Sequence, residues 1–442
     1  MLESQLARSS EDQSEDHAGQ KSRQISNITR PLKIALLAYR SHPFSGGQGI
    51  YIRYLSQALV NAGHQVDVIS GPPYPDLDVR VNLIKLPSLD LYEEKSHIKA
   101  LKWEHLLSFT DFFEWFTMLT GGFAEPYTYG RRLTRYFKNH KPKYDILHDN
   151  QSLCYGTLKL QQNGQALLTT IHHPITRDLK IALANEENWG MRILIRRWHS
   201  FLKMQKKVVR KLDNIVTVSE VSRVDIADAF SIPSSALTVI HNGIDTDVFQ
   251  PVPDIKPREY SIMATASADQ PLKGLQYLLC AIALLVPTYP QIHLTVLGKI
   301  KTGGDIDNLL GELNLGEHLS FVSGIETIEV VKLYARASIV VVPSIYEGFG
   351  LPAGEAMACG VPVISTDGGA LPEVVGDCGI IVPVRNPEAI KDAIAQLFEN
   401  PKQRKELSRL GRERIVNLFS WEVAARELVE LYTEIIEKKA SR

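Results

Sequence analysis

The chain alternates short apolar runs with longer stretches of mixed polarity, and glycine-rich turns separate the two. Leu32–Ala38 and Ile339–Val342 are apolar at nearly every position. That is the pattern of parallel strands buried on both faces. After Leu32–Ala38 the chain turns through Tyr39–Gly49 into a helix predicted from Ile50 to Ala62, which Gly63 ends, and Gln65–Ser70 is the next strand. Asp145–Asn150, Ala166–His173, Asn214–Ser219 and Thr238–Asp245 read as further strand ends. Prolines then cluster at Pro251, Pro253 and Pro257, as a linker requires. A second strand–helix series opens with Tyr260–Ala266 and runs through His293–Gly298, Ser320–Gly324, Ile339–Val342 and Val361–Ser365. The last predicted helix spans Trp421–Ala440, with Ser420 as its N-cap. The alternation predicts an α/β fold, and 442 residues are too many for one typical domain. We divide the chain into a tail over 1–30, a first domain over 31–250 and a second over 251–442. The tail is rich in Ser, Gln, Glu and Asp and is expected to be disordered.

The stretch Pro343–Gly360, PSIYEGFGLPAGEAMACG, carries the clearest chemistry. It leaves a buried strand, passes a glycine-rich turn and enters a helix. Pro352 suits the first helical turn and Gly360 the stop. Glu347 then sits at the carboxyl end of a strand, and Glu355 one to two turns into the helix. The amides of Phe349, Gly350 and Leu351 are expected to point out of the helix N-terminus. Free amides suit a phosphate. Carboxylates repel phosphate and suit sugar hydroxyls. Together they point to a nucleotide sugar.

At these residues the sequence resembles a known family. E-G-F-G-L-P-x-x-E-A-M-A-C-G-x-P-V-I, with the D-G-G run after it, is similar to the donor signature of the family-4 retaining glycosyltransferases. The resemblance implies the GT-B architecture, two Rossmann-like domains facing across a cleft. It places the donor on the second domain and the acceptor on the first, and returns the C-terminal helix to the first domain. By the same resemblance Glu347 binds donor sugar hydroxyls and Glu355 the ribose hydroxyls. The turn with Gly46, Gly47 and Gly49 corresponds to the family's G-G-x-G turn near the donor phosphates. A T-x-H segment of the family matches His172, which would face the transferred sugar, with His173 beside it and His148 on a neighbouring strand end. The family clamps the diphosphate with an Arg and a Lys. Lys273 matches the Lys, but Ala268 holds the Arg position, and alanine cannot replace a bidentate fork. Either Lys299 substitutes, or amides and Lys273 hold the phosphate. The implied catalytic set is His172, Lys273 and Glu347. Attack from the front face, with the leaving phosphate as base, needs no enzyme nucleophile, and no metal or cofactor is expected. The D-x-D runs at Asp76–Asp78, Asp245–Asp247 and Asp305–Asp307 read as loop composition.

Composition narrows the partners. A formal net charge of -1 supplies no field for nucleic acid. Cys154, Cys280, Cys359 and Cys378 are scattered, with no disulfide or zinc spacing. No apolar run approaches the ~20 residues of a membrane span, and the N-terminus has no signal-peptide core. Cytoplasm is expected, with attachment to the inner face of a membrane as an extension. Arg192–Leu212 reads as a basic amphipathic helix, which fits either an anionic membrane surface or a domain helix with a solvated basic side. Lys99–Met118 is strongly aromatic, through Trp103, Phe109, Phe112, Phe113, Trp115 and Phe116. It fits an apolar acceptor groove, a membrane-facing loop or core packing. A UDP-sugar donor is favoured on family frequency, and a lipid, a saccharide and a small molecule stay open as acceptors. The rival readings are a sugar-nucleotide epimerase of the same architecture and a nucleotide-sugar-binding protein without turnover.

Overall fold

The computed structural model describes residues 30–42, 47–91, 103–184, 186–265 and 270–441. The expected tail, apart from its last residue, lies outside the described residues, as do Gly46 and Ala268.

Two parallel sheets organise the rest. The first takes β1 Lys33–Ala38, β2 Gln65–Ser70, β3 Asn82–Lys85, β4 Ile146–Asn150, β5 Leu167–Ile171, β6 Ile215–Thr217 and β7 Leu237–Val239, in the order β3-β2-β1-β4-β5-β6-β7. The second takes β8 Ser261–Thr265, β9 His293–Leu297, β10 Leu319–Val322, β11 Ile339–Val342, β12 Val363–Thr366 and β13 Ile380–Val382, in the order β10-β9-β8-β11-β12-β13. Every strand pair is parallel. The central strands are buried throughout, as in Ile339–Val342 and Ile146–Asn150, because crossover helices cover both faces. Each sheet reverses its order once, at β1/β4 and at β8/β11. These switch points open crevices at the carboxyl ends of the strands. The sequence reading finds eleven of these strands and misses β3 and β13, which lie at sheet edges. β3 has partly exposed positions and polar ends, so its apolar run is short.

The C-terminal helix runs Trp421–Ala440, capped by Ser420 Oγ accepting from Val423 N. It returns to the first domain. Its buried stripe is Trp421, Ala424, Ala425, Leu428, Tyr432 and Ile435. Trp421 stacks on Tyr54, ring centres 5.9 Å apart, and Tyr432 Oη lies 2.5 Å from His148 Nδ1 on β4.

The basic stretch forms two helices, Trp189–Trp198 and Leu202–Val209, joined by a 3-10 turn. The two halves differ. Leu202, Met204, Val208 and Val209 are buried, so the second half is an ordinary domain helix. The first half buries none of its residues. The aromatic stretch divides too. Trp115 and Met118 pack in a small core with Phe123 and Trp198, whereas Phe109, Phe112 and Phe116 stay exposed.

Candidate active site

β11 delivers the Pro343–Gly350 loop to the switch point of the second sheet. Helix Leu351–Ala358 follows, with Pro352 in its first turn. Gly350 has φ +105° at the N-cap, a conformation that side chains rarely adopt. Among the described residues the amides of Phe349 and Gly350 find no protein acceptor. Phe349 itself is buried between His241 and Phe419, so its contribution to the cleft is its backbone.

Three loops clamp Glu347. Ser344 Oγ donates to its Oε1 at 2.8 Å. Ala370 N donates to its backbone oxygen at 2.8 Å. Lys273 Nζ lies 2.6 Å from Oε1. Lys273 ends the 3-10 turn Pro271–Lys273, and Gly274 opens helix Leu275–Leu285 with φ +65°. A Cβ on Gly274 would lie 2.0 Å from the Pro343 oxygen, and Ile345 N donates to Leu272 O. The lysine loop and the Glu347 loop are therefore one packed unit. Lys299 stands exposed past the end of β9.

Glu355 is half-buried on the wall of the cleft, where Tyr334 Oη donates to its Oε2 at 3.2 Å. Burial pushes its carboxyl up to about 7, against the pull of the tyrosine bond.

Across the cleft, His172 follows β5. Its Nε2 lies 2.7 Å from Asn150 Oδ1, and Asn150 Nδ2 donates to Gln48 O. The amide's own bond fixes Oδ1 as acceptor, so Nε2 carries the proton and Nδ1 is left to accept. Burial lowers the His172 pKa to about 3, and His173 and His148 push the same way. The ring is a neutral imidazole. Tyr51 meets it edge-on at 4.6 Å. Gln151 holds the backbone here: its Oε1 accepts from His172 N and its Nε2 donates to His173 O. Gln151 is buried and has φ +53°, a strained conformation for a residue with a side chain. His148 is buried between Tyr432 and Thr170 and does not reach the cleft.

Helix Gly47–Asn61 starts at the same mouth. A Cβ on Gly49 would strike His42 O at 2.1 Å, so Gly49 is a packing glycine. A Cβ on Gly47 would meet open space, and Gly47 lines the cleft. Its backbone is free to approach a ligand.

The cleft encloses about 320 Å³. His172, Gly47, Leu351 and Glu355 line it, together with Tyr51, Tyr54 and Trp421. Arg177 and Tyr346 line the cleft, and further polar contacts stand beside it. Arg177 lies 3.5 Å over the Tyr346 ring and donates to Asp225, which also accepts from Tyr346 Oη. Ser219 and Ser222 hydroxyls donate to Gly348 O. The Glu373 carboxylate accepts from the amides of Glu220 and Val221 at the start of helix Glu220–Phe230. The Arg177–Asp225 bond lies within the first domain, and the others join the two domains.

Asp78 pairs with Arg80, Asp76 with Arg53, and Asp245 accepts from the amides of Asp247 and Val248. Among the described residues no group of three or more His, Cys, Asp or Glu side chains is placed to hold a metal ion.

Two Rossmann-like domains, with an acid, lysine and free amides at the switch point of the second, define a GT-B glycosyltransferase. The chain belongs to the group 1 glycosyltransferases. The model of glycosyltransferase family 4 matches residues 45–248, and that of glycosyl transferases group 1 matches residues 250–414. An MMP alpha-(1->4)-mannosyltransferase of Mycolicibacterium hassiacum is 39% identical over 415 residues, 93% of this chain and 100% of that protein. A D-inositol 3-phosphate glycosyltransferase of Thermobispora bispora is 25% identical, over 89% of this chain and 91% of its own. Among solved structures, sucrose-phosphate synthase from Thermosynechococcus elongatus superposes with a TM-score of 0.66 at 25% identity, over 92% of this chain and 99% of its own. WaaG, a glycosyltransferase of lipopolysaccharide biosynthesis, shares the fold with a TM-score of 0.62 at 16% identity, over 89% of this chain and 98% of its own. Among the described residues no helix is long and apolar enough to cross a membrane.

Proposed function

We propose that the protein transfers a hexosyl group, mannosyl by its similarity to the M. hassiacum enzyme, from a nucleoside-diphosphate sugar to a saccharide acceptor with retention of configuration. The observation that carries this is the Lys273–Glu347 pair beside the open amides of Phe349 and Gly350. The departing diphosphate gains charge as the anomeric bond breaks. A lysine and amides already aimed at that place stabilise it without reorganising. Docking of the sugar divides the pair: Glu347 turns to sugar hydroxyls and Lys273 to the phosphate. Glu355 takes the ribose hydroxyls, and the His172 Nδ1 accepts from a hydroxyl of the transferred sugar. The diphosphate oxygen removes the acceptor proton on the same face, and Gly47 lets the backbone approach that group. The reaction then requires no metal. The relative's name gives an alpha-linked product, which implies retention where the nucleotide sugar is itself alpha-linked.

The acceptor class is argued from the other wall. Tyr54 and Trp421 stack at 20°, and Tyr51 meets Trp421 edge-on. Amphipathic rings beside the carboxylates of Asp178 and Asp245 suit the alternating C–H and O–H surfaces of a saccharide.

Uridine stays our expectation for the base, on family frequency. The test is a thermal-shift screen over UDP-, GDP- and ADP-sugars, followed by NMR of the product's anomeric proton with a mannoside acceptor. A donor raises the melting point because it binds only the folded state. A beta-linked product, or epimerised donor without an acceptor, would overturn the proposal.

A further inference from the structure

Helices Glu125–His140 and Tyr155–Gln162 of the first domain cross at two glycines. A Cβ on Gly156 would lie 2.2 Å from Gly130 O, and one on Gly130 would lie 2.9 Å from Gly156 N. Beside this crossing lies a groove of about 570 Å³, and none of its lining residues lines the catalytic cleft. Arg131, Arg135 and Lys138 enter it from one helix, spaced four and three residues apart on one face. Lys159 enters from the other. The second helix begins in the groove, and its N-cap, Cys154, supplies no side-chain bond. Among the described residues no carboxylate lines the groove. Among the described residues Arg135, Lys138 and Lys159 are exposed and make no ion pair.

An apolar face adjoins it. Arg131 sits 5.1 Å over the Phe109 ring and bonds Thr110. Phe109 opens helix Phe109–Leu119, where Phe109, Phe112 and Phe116 are 63%, 38% and 49% exposed. Both acids of that helix, Asp111 and Glu114, turn away onto Arg132. Among the described residues of that helix, neither acid therefore faces the aromatic side. That side continues onto helix Trp189–Trp198, where Leu194 touches Gly121 and Ile193 and Leu194 are about half exposed.

We propose that this face docks the enzyme on an anionic bilayer, with the four cations over lipid phosphodiesters and the three phenylalanines in the interface. A soluble phosphate would use the groove but leave the aromatic face unexplained. An acidic protein would not require a flat run of rings. A bilayer uses both, since interfacial binding adds buried apolar area to attraction for anionic lipid. The lysines of the Leu202–Val209 helix are not needed, because that helix spends its apolar face on the core.

The test is sedimentation of the full chain with phosphatidylcholine vesicles, with and without a third of phosphatidylglycerol. Binding is expected to the anionic vesicles and to fall with salt. Arg135→Gln with Lys138→Gln should weaken partition roughly twentyfold, at about fivefold per cation. Phe112→Ser with Phe116→Ser should weaken it while keeping the salt dependence. Lys206→Gln with Lys207→Gln should change nothing. Transfer between soluble substrates should be unaffected in every variant, and circular dichroism should confirm their folding. The inference does not rest on the sugar-transfer reading, so either can fail alone. Absence of vesicle binding, equal binding by the groove variant, or equal affinity for soluble glycerol phosphate would overturn it.

Discussion

Lys273 Nζ rests 2.6 Å from Glu347 Oε1, although 74 residues separate them. They satisfy each other's charge, and on the proposed donor binding the sugar and phosphate part them. Lys273→Ala should remove the cation that meets the leaving diphosphate. The expected loss in kcat is about a hundredfold to a thousandfold, the usual cost of one transition-state donor. Glu347→Gln should raise the donor KM more than it lowers kcat. The double variant should lose less than the sum, because each single change frees the partner's charge. Steady-state kinetics of the three variants decide this. Strict additivity would show that the pair does not act as a unit.

Gln151 carries the second prediction. Its side chain holds the backbone of His172 and His173 with two bonds. Gln151→Ala leaves a part-buried amide and carbonyl without this partner, at a cost of about 1 kcal/mol in stability. It also loosens the imidazole, so kcat should fall about tenfold or more through lost positioning. Glycine at 151 should recover part of the stability, since it accepts φ +53° freely, but none of the rate. Denaturant melts and kcat, measured on both variants, separate the two effects.

Which of these groups sequence could find follows from where their signals lie. Glu347, Glu355 and Lys273 sit in local patterns: an apolar run, a glycine turn, a helix start. Those patterns report strand ends directly, and the motif adds the chemistry. Gln151 sits in a polar loop and Arg177 in the first turn of helix Thr176–Ala184, and no apolar period marks either. Their roles arise only when a distant segment arrives, as Tyr346 arrives over Arg177. The edge strand β3 has polar ends, and β13 is only three residues long, too short to stand out as an apolar run. His148 and His172 both end up near strand ends, and only the fold tells the buried tie from the cleft-facing ring.

Glu373 supplies the third prediction, again from a contact 153 residues apart. Its carboxylate caps a helix of the opposite domain and lies 3.5 Å from His241. Opening the cleft would strip two amides of their acceptor. Glu373→Ala should therefore shift the protein toward an open form and raise the KM for donor, with a stability cost of about 1–2 kcal/mol typical of a lost cap. Small-angle scattering should show a larger radius of gyration. An unchanged radius and KM would deny the latch.

On the proposed ribose contact of Glu355, donor binding should depend on pH. The Glu355 carboxyl is pushed up to about 7 because burial disfavours the charge. A carboxylate accepts ribose hydroxyls more strongly than a neutral acid. Donor affinity should thus rise as pH increases through about 7. Glu355→Gln cannot ionise, so its donor affinity should be lower and flat over the same range. Donor titrations at pH 6 and 8, the two sides of that value, would show the difference, and a wild-type profile as flat as the variant's would remove Glu355 from the ribose.

His148 gives the last prediction, on stability. It is buried between Tyr432 and Thr170, and burial lowers its pKa to about 3 from the ordinary 6.5. Between those values the unfolded chain binds a proton that the folded chain refuses. Stability is therefore lost as pH falls below 6.5, with a slope of about 1.4 kcal/mol per pH unit for one such group. Asp149, raised to about 6 by burial, acts with the opposite sign, because there the folded chain holds the proton and the unfolded one releases it. The raw stability curve mixes the two, so a comparison is needed. His148→Gln keeps a polar side chain between Tyr432 and Thr170 but has no such proton. Urea melts at pH 5 and 7 should show a wild type that loses more than the variant on acidification, by up to about 2 kcal/mol. Equal losses would mean that the folded protein protonates His148 as readily as the unfolded chain does, and that burial does not hold the ring neutral.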